Sequence, residues 1–417
     1  MKLILKNLWC AQVRRHLAKV QLPKVFSFFK NIKNILFVEY KKKYLLNRHV
    51  AESRNVTVKQ RFIKEVRANF LQIFGIPGSL DGDMFLQYRY TEKKILKVFL
   101  EKNKEGIYEV KVDISKDFNE LFEMLENRSK EIHNHPDPIL ELTEREIKEF
   151  FNDKTDVVYI PAGRSMITLL SNQMNYIYSS MDDIQKRNMD YCTRSYLEKI
   201  LQMKSVFTIS PVEMLNDVIS MTYIKIDEER AKEAISLMKQ LLQGEYINKD
   251  GEERLQVSKN RYVKLNYASS GQQEVVWILN VLFYYLLNGE STYFIIEEPE
   301  SHLFPNSQKL VMEFIALVCN GNGNQLFLTT HSPYILGTIN NLLYADKVSK
   351  DVDESQLSRI ISKNKWLNYD KVNAIFVQNG KIKSCLDEEF KSIENEVIDG
   401  ASEQINEDYD KMLMLKE

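Results

Sequence analysis

Two short apolar runs, each ending on polar residues, dominate the hydrophobic pattern of the chain. Tyr293 to Ile296 is aromatic and β-branched, which predicts a buried strand. It runs into Glu297 and Glu298, and Pro299 breaks it. Leu310, Val311, Phe314, Ile315 and Val318 then recur at helical spacing, and Gly321 and Gly323 stop that helix. Gln325 to Thr329 predicts a second buried strand, ending on Thr330-His331-Ser332 before Pro333. The unit is strand, helix, strand, which indicates an α/β fold. Parallel α/β sheets carry their chemistry at the C-terminal ends of strands.

The pattern elsewhere is coarser. Residues 61–76 predict an amphipathic helix with Phe62, Val66, Phe70 and Ile73 on one face. Met84 to Tyr90, Lys94 to Leu100 and Gly106 to Val112 predict strands, and Phe118 to Arg128 a helix. Val157 to Ile160 predicts a buried strand ending in Pro161-Ala162-Gly163-Arg164-Ser165. Residues 166–243 are helical, split by Pro211, with methionines from Met166 to Met238 as core filling. Tyr246 to Leu265 predicts a hairpin turning at Lys249-Asp250-Gly251. Asn266 to Glu274 then feeds a long apolar helix, Val275 to Leu287. Tyr334 to Leu343 is helix or loop, and Asp346 to Ser362 a polar, mobile connection. Val372 to Gln378 and Lys381 to Ser384 form a hairpin around Asn379-Gly380, and an acidic helical tail runs from Asp387 to Glu417.

Candidate chemistry gathers at these strand ends. Of two adjacent carboxylates, one can hold a hydrated Mg²⁺ and the other can orient or deprotonate a water. The alternative is two solvated acids where a strand exits. His331 can reach a phosphate or that water. Ser270 to Gln272 open a helix, where free amides and the positive dipole end suit an anion; the same residues also make an ordinary helix cap. Arg164 can contact phosphate or a partner acid, or form a structural salt bridge. His133-Asn134-His135-Pro136-Asp137 reads as a surface turn or a metal cluster.

FIIEEPESHLFP followed by FLTTHSPYIL resembles the Walker B, D-loop and switch-histidine region of ABC/SMC-type P-loop ATPases. More narrowly, it is similar to the bacterial ATPases related to the OLD and Septu anti-phage proteins. The resemblance implies Mg²⁺ on Glu297, an attacking water polarised by Glu298, and γ-phosphate sensing by His331. Glu300 to Pro305 would be a D-loop crossing a dimer interface. Ser269, Ser270, Gly271 and Gln272 resemble the ABC signature, which binds the γ-phosphate of ATP held on a second protomer. YIPAGRS, with Arg164, is similar to a motif recurring in these ATPases. The implied fold is an ABC/SMC-like P-loop ATPase: a parallel sheet core, an antiparallel β lobe and a helical insertion.

The corresponding division is a basic segment over 1–60, the first part of the ATPase lobe with its antiparallel strands over 61–165, a helical subdomain over 166–243, and a C-terminal ATPase lobe over 244–417. The resemblance covers most of residues 60–417 and shows no Toprim or HNH nuclease pattern. It implies an ATP- and Mg²⁺-dependent subunit acting as a homodimer or ATPase heterodimer. Such a subunit switches an effector, for instance a nuclease, in anti-phage defence or DNA metabolism.

One motif departs from the family. No G-x-x-x-x-G-K-[ST] occurs; Gly380-Lys381 has no upstream Gly and no following Ser or Thr. Either a P-loop lies upstream of this sequence, or the chain is a P-loop-lacking homologue that regulates, scaffolds or contacts DNA.

Composition changes the picture in three places. Residues 1–60 carry Arg14-Arg15, Lys30, Lys33, Lys41-Lys42-Lys43 and Arg48 among interleaved aromatics. This segment either binds nucleic acid or forms a basic helical hairpin, aromatics inward and lysines in solvent. The four cysteines sit at no metal spacing and fit a reducing compartment. No apolar run spans a bilayer and no signal peptide is read, so a cytoplasmic protein without a membrane partner is expected.

Overall fold

The computed structural model describes residues 2–5, 22–49, 56–80, 82–130, 137–169, 176–177, 179–182, 189–221, 226–378, 381–394 and 396–414. Arg14-Arg15, Cys10, His133 to Pro136, Met174 and Asn379-Gly380 lie outside them, and with them most of the histidine-rich turn. The chain forms two compact units. One comprises residues 1–6, 158–186 and 193–417; the other comprises 7–157 and 187–192.

In chain order, β1 (Lys2–Leu5) precedes α1 (Leu22–His49) and α2 (Val58–Phe74). Next come β2 (Phe85–Arg89), β3 (Ile95–Lys102) and β4 (Tyr108–Ile114), an antiparallel sheet of order β2-β3-β4. Helices α3 (Asp117–Lys130) and α4 (Asp137–Phe150) follow.

Thr57 and Gln60 start α2 with a reciprocal capping box. The residues at helical spacing, Phe62, Val66, Phe70 and Ile73, are all buried. On α1, Phe26, Phe29, Leu36, Tyr40 and Tyr44 are buried, and Phe29 stacks on Tyr88 of β2 at 5.2 Å.

The lysines of α1 correct the expectation of a solvated basic face. Lys30 and Lys33 are buried and both reach Asp153, at 2.8 and 2.9 Å; Lys43 is buried against Glu126 at 2.6 Å. Lys41 and Lys42 are exposed. Lys30 and Lys33 share the helix face of the aromatics because three residues apart is nearly one turn.

The chain continues with β5 (Asp156–Ile160), α5 (Ser165–Leu169), α6 (Tyr191–Met203), α7 (Pro211–Ser220) and α8 (Glu228–Leu242). Pro211 opens α7 at a position where its missing N–H costs nothing. β6 (Glu245–Lys249), β7 (Glu252–Ser258) and β8 (Arg261–Lys264) form a three-stranded meander, where a single hairpin was expected. The second reversal, at Lys259-Asn260, carries no Gly or Pro to announce it.

Then come α9 (Ser270–Asn288), β9 (Thr292–Glu297), α10 (Pro305–Cys319), β10 (Gln325–Thr329) and α11 (Pro333–Val348). α12 (Glu354–Ile360) lies in the stretch expected to be mobile. β11 (Val372–Gln378), β12 (Lys381–Ser384), the two-residue strands β13 (Leu386–Asp387) and β14 (Ser392–Ile393), and α13 (Glu396–Met414) close the chain.

The fold is mixed α/β, with a parallel pair in the main sheet and a three-stranded antiparallel sheet in each unit. The main sheet has the order β12-β11-β1-β10-β9-β5. β9 and β10 pair in parallel, and β1 runs antiparallel to both β10 and β11. All six residues of β9 are buried, as in a strand covered on both faces. α9 is apolar and buried around its whole circumference from Gln273 to Phe283, the mark of a core helix. No described helix is long and apolar enough to cross a membrane.

Candidate functional site

Parallel pairing of β9 and β10 puts Glu297 beside Thr329, so both strands leave the sheet together. The Glu298 N–H donates to the Thr329 carbonyl at 2.9 Å. His331 Nε2 lies 3.5 Å from Glu298 Oε1, and both side chains open to solvent, at 79% and 38% exposure. The structure therefore brings Glu298 and His331 together. Glu297 is buried; its Oε2 accepts the Ala162 N–H at 3.2 Å.

Glu298 has φ +43° and His302 φ +61°. Non-glycine residues in this left-handed region cost about 1–3 kcal/mol each and persist only where the surroundings hold them. Both lie in the turn from Glu298 to Leu303. Its backbone closes through Ser301 N–H to Glu298 O at 3.2 Å and Leu303 N–H to Glu300 O at 3.0 Å.

Glu300 points back into the site. Its Oε1 accepts the Thr330 hydroxyl and the His331 backbone N–H, each at 2.8 Å. Ser332 caps α11, accepting from Tyr334 and Ile335, and donates its hydroxyl to Gln308 Oε1.

Arg164 is fully buried. Its Nη1 donates to the carbonyls of Pro161 and Glu297, its Nη2 to that of Glu298, each at 2.8 Å. Its Nε lies 3.1 Å from the Glu274 carbonyl and 3.2 Å from Glu274 Oε2. The guanidinium thus fastens the end of β9 to the start of α9. Of the roles open to it in the sequence, the structural salt bridge is present, and these contacts are all internal to the protein. Tyr196 Oη, buried nearby, has its pKa raised by burial and by Glu274, against the opposing effect of Arg164.

Ser269 and Gln272 form a capping box at the start of α9. Gln272 Nε2 also donates to the Leu242 carbonyl at 2.7 Å, and Gln273 Nε2 ties back to the carbonyls of Leu265 and Ala268, each at 3.1 Å. Ser269 and Ser270 are exposed, whereas Gly271 is buried. A Cβ at Gly271 would sit 2.8 Å from the His302 carbonyl oxygen. Only glycine allows this approach, so the start of α9 rests directly on the turn after Glu298.

Sequence reasoning placed the acids and the histidine at strand ends, but not Glu300 as an acceptor for the β10 tip, nor Gln273 and Gln308 as clamps. Glu300 carried a signal, since it stands two residues after the acid pair. The two glutamines carried none.

The donor set suits Mg²⁺, which takes one or two carboxylates and completes its shell with phosphate oxygens and water. No larger group of three or more metal-binding side chains occurs among the described residues. Residues 27–336 match the family model of the AAA ATPase domain. The chain belongs to this family. No curated protein matches it. Membership in the AAA ATPase domain family makes the function ATPase-type and implies a nucleotide, typically with Mg²⁺.

Proposed function

We propose that this chain is an ATP-handling subunit whose C-terminal strand ends supply the hydrolytic half of a nucleotide site. One observation carries this reading: Glu298 and His331 meet at 3.5 Å at the tips of adjacent parallel strands, with Glu297 buried beside them. Glu297 would hold Mg²⁺, which would supply neutralisation of phosphate charge. Glu298 orients the attacking water and takes its proton. His331 donates toward the γ-phosphate oxygens. Arg164 positions both acids through their carbonyls and leaves phosphate contact to other groups.

In the same reading Ser269, Ser270, Gly271 and Gln272 contact nucleotide held by a second protomer. The subunit works as a homodimer or ATPase heterodimer that switches an effector, with anti-phage defence or DNA metabolism as the setting. A second reading has its own support: the sequence contains no G-x-x-x-x-G-K-[ST]. In that case the chain completes a site whose phosphate cradle belongs to another ATPase chain, acting as a regulatory subunit. Nucleic-acid contact by the basic segment would fall to Lys41, Lys42 and their exposed neighbours, since Lys30, Lys33 and Lys43 are internal.

The test is binding of a fluorescent ATP analogue with Mg²⁺, with and without Glu298→Gln, alongside light scattering. Saturable binding, with a nucleotide-trapped dimer for the variant, supports the first reading. No binding at millimolar nucleotide by the chain alone sinks it. Binding restored by a P-loop-bearing partner chain would then support the second.

A further inference from the structure

We propose that Glu300 is a positioning residue that couples the start of α9 to the Glu298–His331 pair. The inference rests on the reading of that pair as hydrolytic. Three observations build it.

The first is the acceptor geometry. A single oxygen, Oε1, takes both the Thr330 hydroxyl and the His331 amide, so Glu300 fixes the backbone from which the imidazole projects. Its other oxygen, Oε2, is buried with no hydrogen-bond partner among the described residues. A solvated turn carboxylate would hold neither arrangement, because a buried acceptor left unpaired is costly.

The second is the stiffness of the turn that carries Glu300. Left-handed Glu298 and His302 bracket it, and two backbone hydrogen bonds close it. It therefore moves as a piece. The third is its far end, where the His302 carbonyl lies against Gly271 with no room for a methyl group. A displacement of Ser270 and Gly271 by anything that binds there pushes the turn, carries Glu300 with it, and shifts His331 against Glu298. The route from helix start to imidazole is thus Gly271, His302, Glu300, His331, all in one compact unit.

The test uses the full chain and two readouts. Exchange of the His331 backbone amide, an amide on an exposed residue, reports its bond to Glu300 whether or not the chain turns over nucleotide. Glu300→Ala should speed that exchange at least about tenfold, and Glu300→Gln, which keeps an acceptor oxygen, should restore it. Glu300→Asp, one methylene too short, should behave like Ala and serves if Ala does not fold. Gly271→Ala should also speed it, through the turn. Where turnover is measurable, kcat should fall on the order of 10²-fold in Glu300→Ala with KM unchanged, as for a misplaced catalytic group. Unchanged His331 exchange in Glu300→Ala or Glu300→Asp overturns the positioning role, and unchanged exchange in Gly271→Ala overturns the coupling to α9. Absence of turnover with accelerated exchange supports the coupling while removing the hydrolytic reading of the pair.

Discussion

Arg164 and Glu274 lie 3.2 Å apart with both side chains essentially sealed from solvent, 0% and 1% exposed. Arg164 directs three of its four Nη N–H donors at carbonyls, those of Pro161, Glu297 and Glu298. A buried pair of this kind is worth little against a well-packed apolar substitute, but breaking it by removing one partner is expensive. Arg164→Met should therefore destabilise the chain by about 3–5 kcal/mol, the cost of an uncompensated buried carboxylate. Arg164→Lys should recover only part of this, because an ammonium cannot reproduce the planar fork. Chemical denaturation of the three proteins checks the order. An Arg164→Lys variant as stable as wild type would show that the fork geometry is idle.

Two glycines should respond in opposite directions to the same substitution. At Gly271 a methyl group meets the His302 carbonyl oxygen at 2.8 Å, a backbone atom that cannot swing aside. Gly271→Ala should cost about 1–3 kcal/mol, as overpacking does. Gly337 lies inside α11 with nothing within 4 Å of the new methyl. Gly337→Ala should stabilise by about 0.5–1 kcal/mol through helix propensity. Equal and favourable shifts in melting temperature would mean that the α9 start does not rest on the turn.

Asn280 sits in the middle of the apolar helix α9, fully buried, with neither Oδ1 nor Nδ2 hydrogen-bonded among the described residues. Buried polar atoms left unpaired cost about 1–3 kcal/mol. Asn280→Leu, close in volume, should raise stability, and Asn280→Ala should lower it by opening a cavity. Thermal melts of both variants decide this, and a destabilised Asn280→Leu would show that the amide has a role in the native core.

These cases show where the sequence was readable. The strand β10 was predicted to the residue, and the helix over 61–76 with its buried face, because a periodic apolar pattern records burial directly. The acid pair was visible because carboxylates following a sealed apolar run are unusual. Register was not visible. Nothing local says that Glu297 pairs with Thr329, and that pairing brings Glu298 to His331. Arg164 was ambiguous for the same reason, since its partners Glu274, Glu297 and Glu298 lie more than 100 residues away. Lys30 and Lys33 looked like part of a solvated basic run because their counter-ion, Asp153, is remote in sequence.

That last cluster gives a pH prediction in which stability rises with pH at both the acid and the alkaline end. Burial pushes the Asp153 carboxyl up, but Lys30 and Lys33 together outweigh it and hold its pKa at about 2. A carboxyl depressed on folding contributes stability that is full above its unfolded value and is lost as pH falls through its folded one. The loss should therefore develop between about pH 4 and pH 2. At the alkaline end the group is Lys33: burial lowers its pKa despite Asp153, so keeping it charged costs stability at neutral pH. The unfolded chain binds that proton more tightly, so stability should rise as pH climbs through the folded pKa of Lys33 toward its unfolded value. Asp153→Asn removes the carboxylate that both buried lysines share and should cost about 3–5 kcal/mol at pH 7. Lys33→Met leaves the Lys30–Asp153 pair and should cost little or even stabilise at pH 7, while abolishing the alkaline rise. Denaturation midpoints from pH 2 to pH 10 for the three proteins test this. An alkaline rise that survives Lys33→Met would assign it to another group.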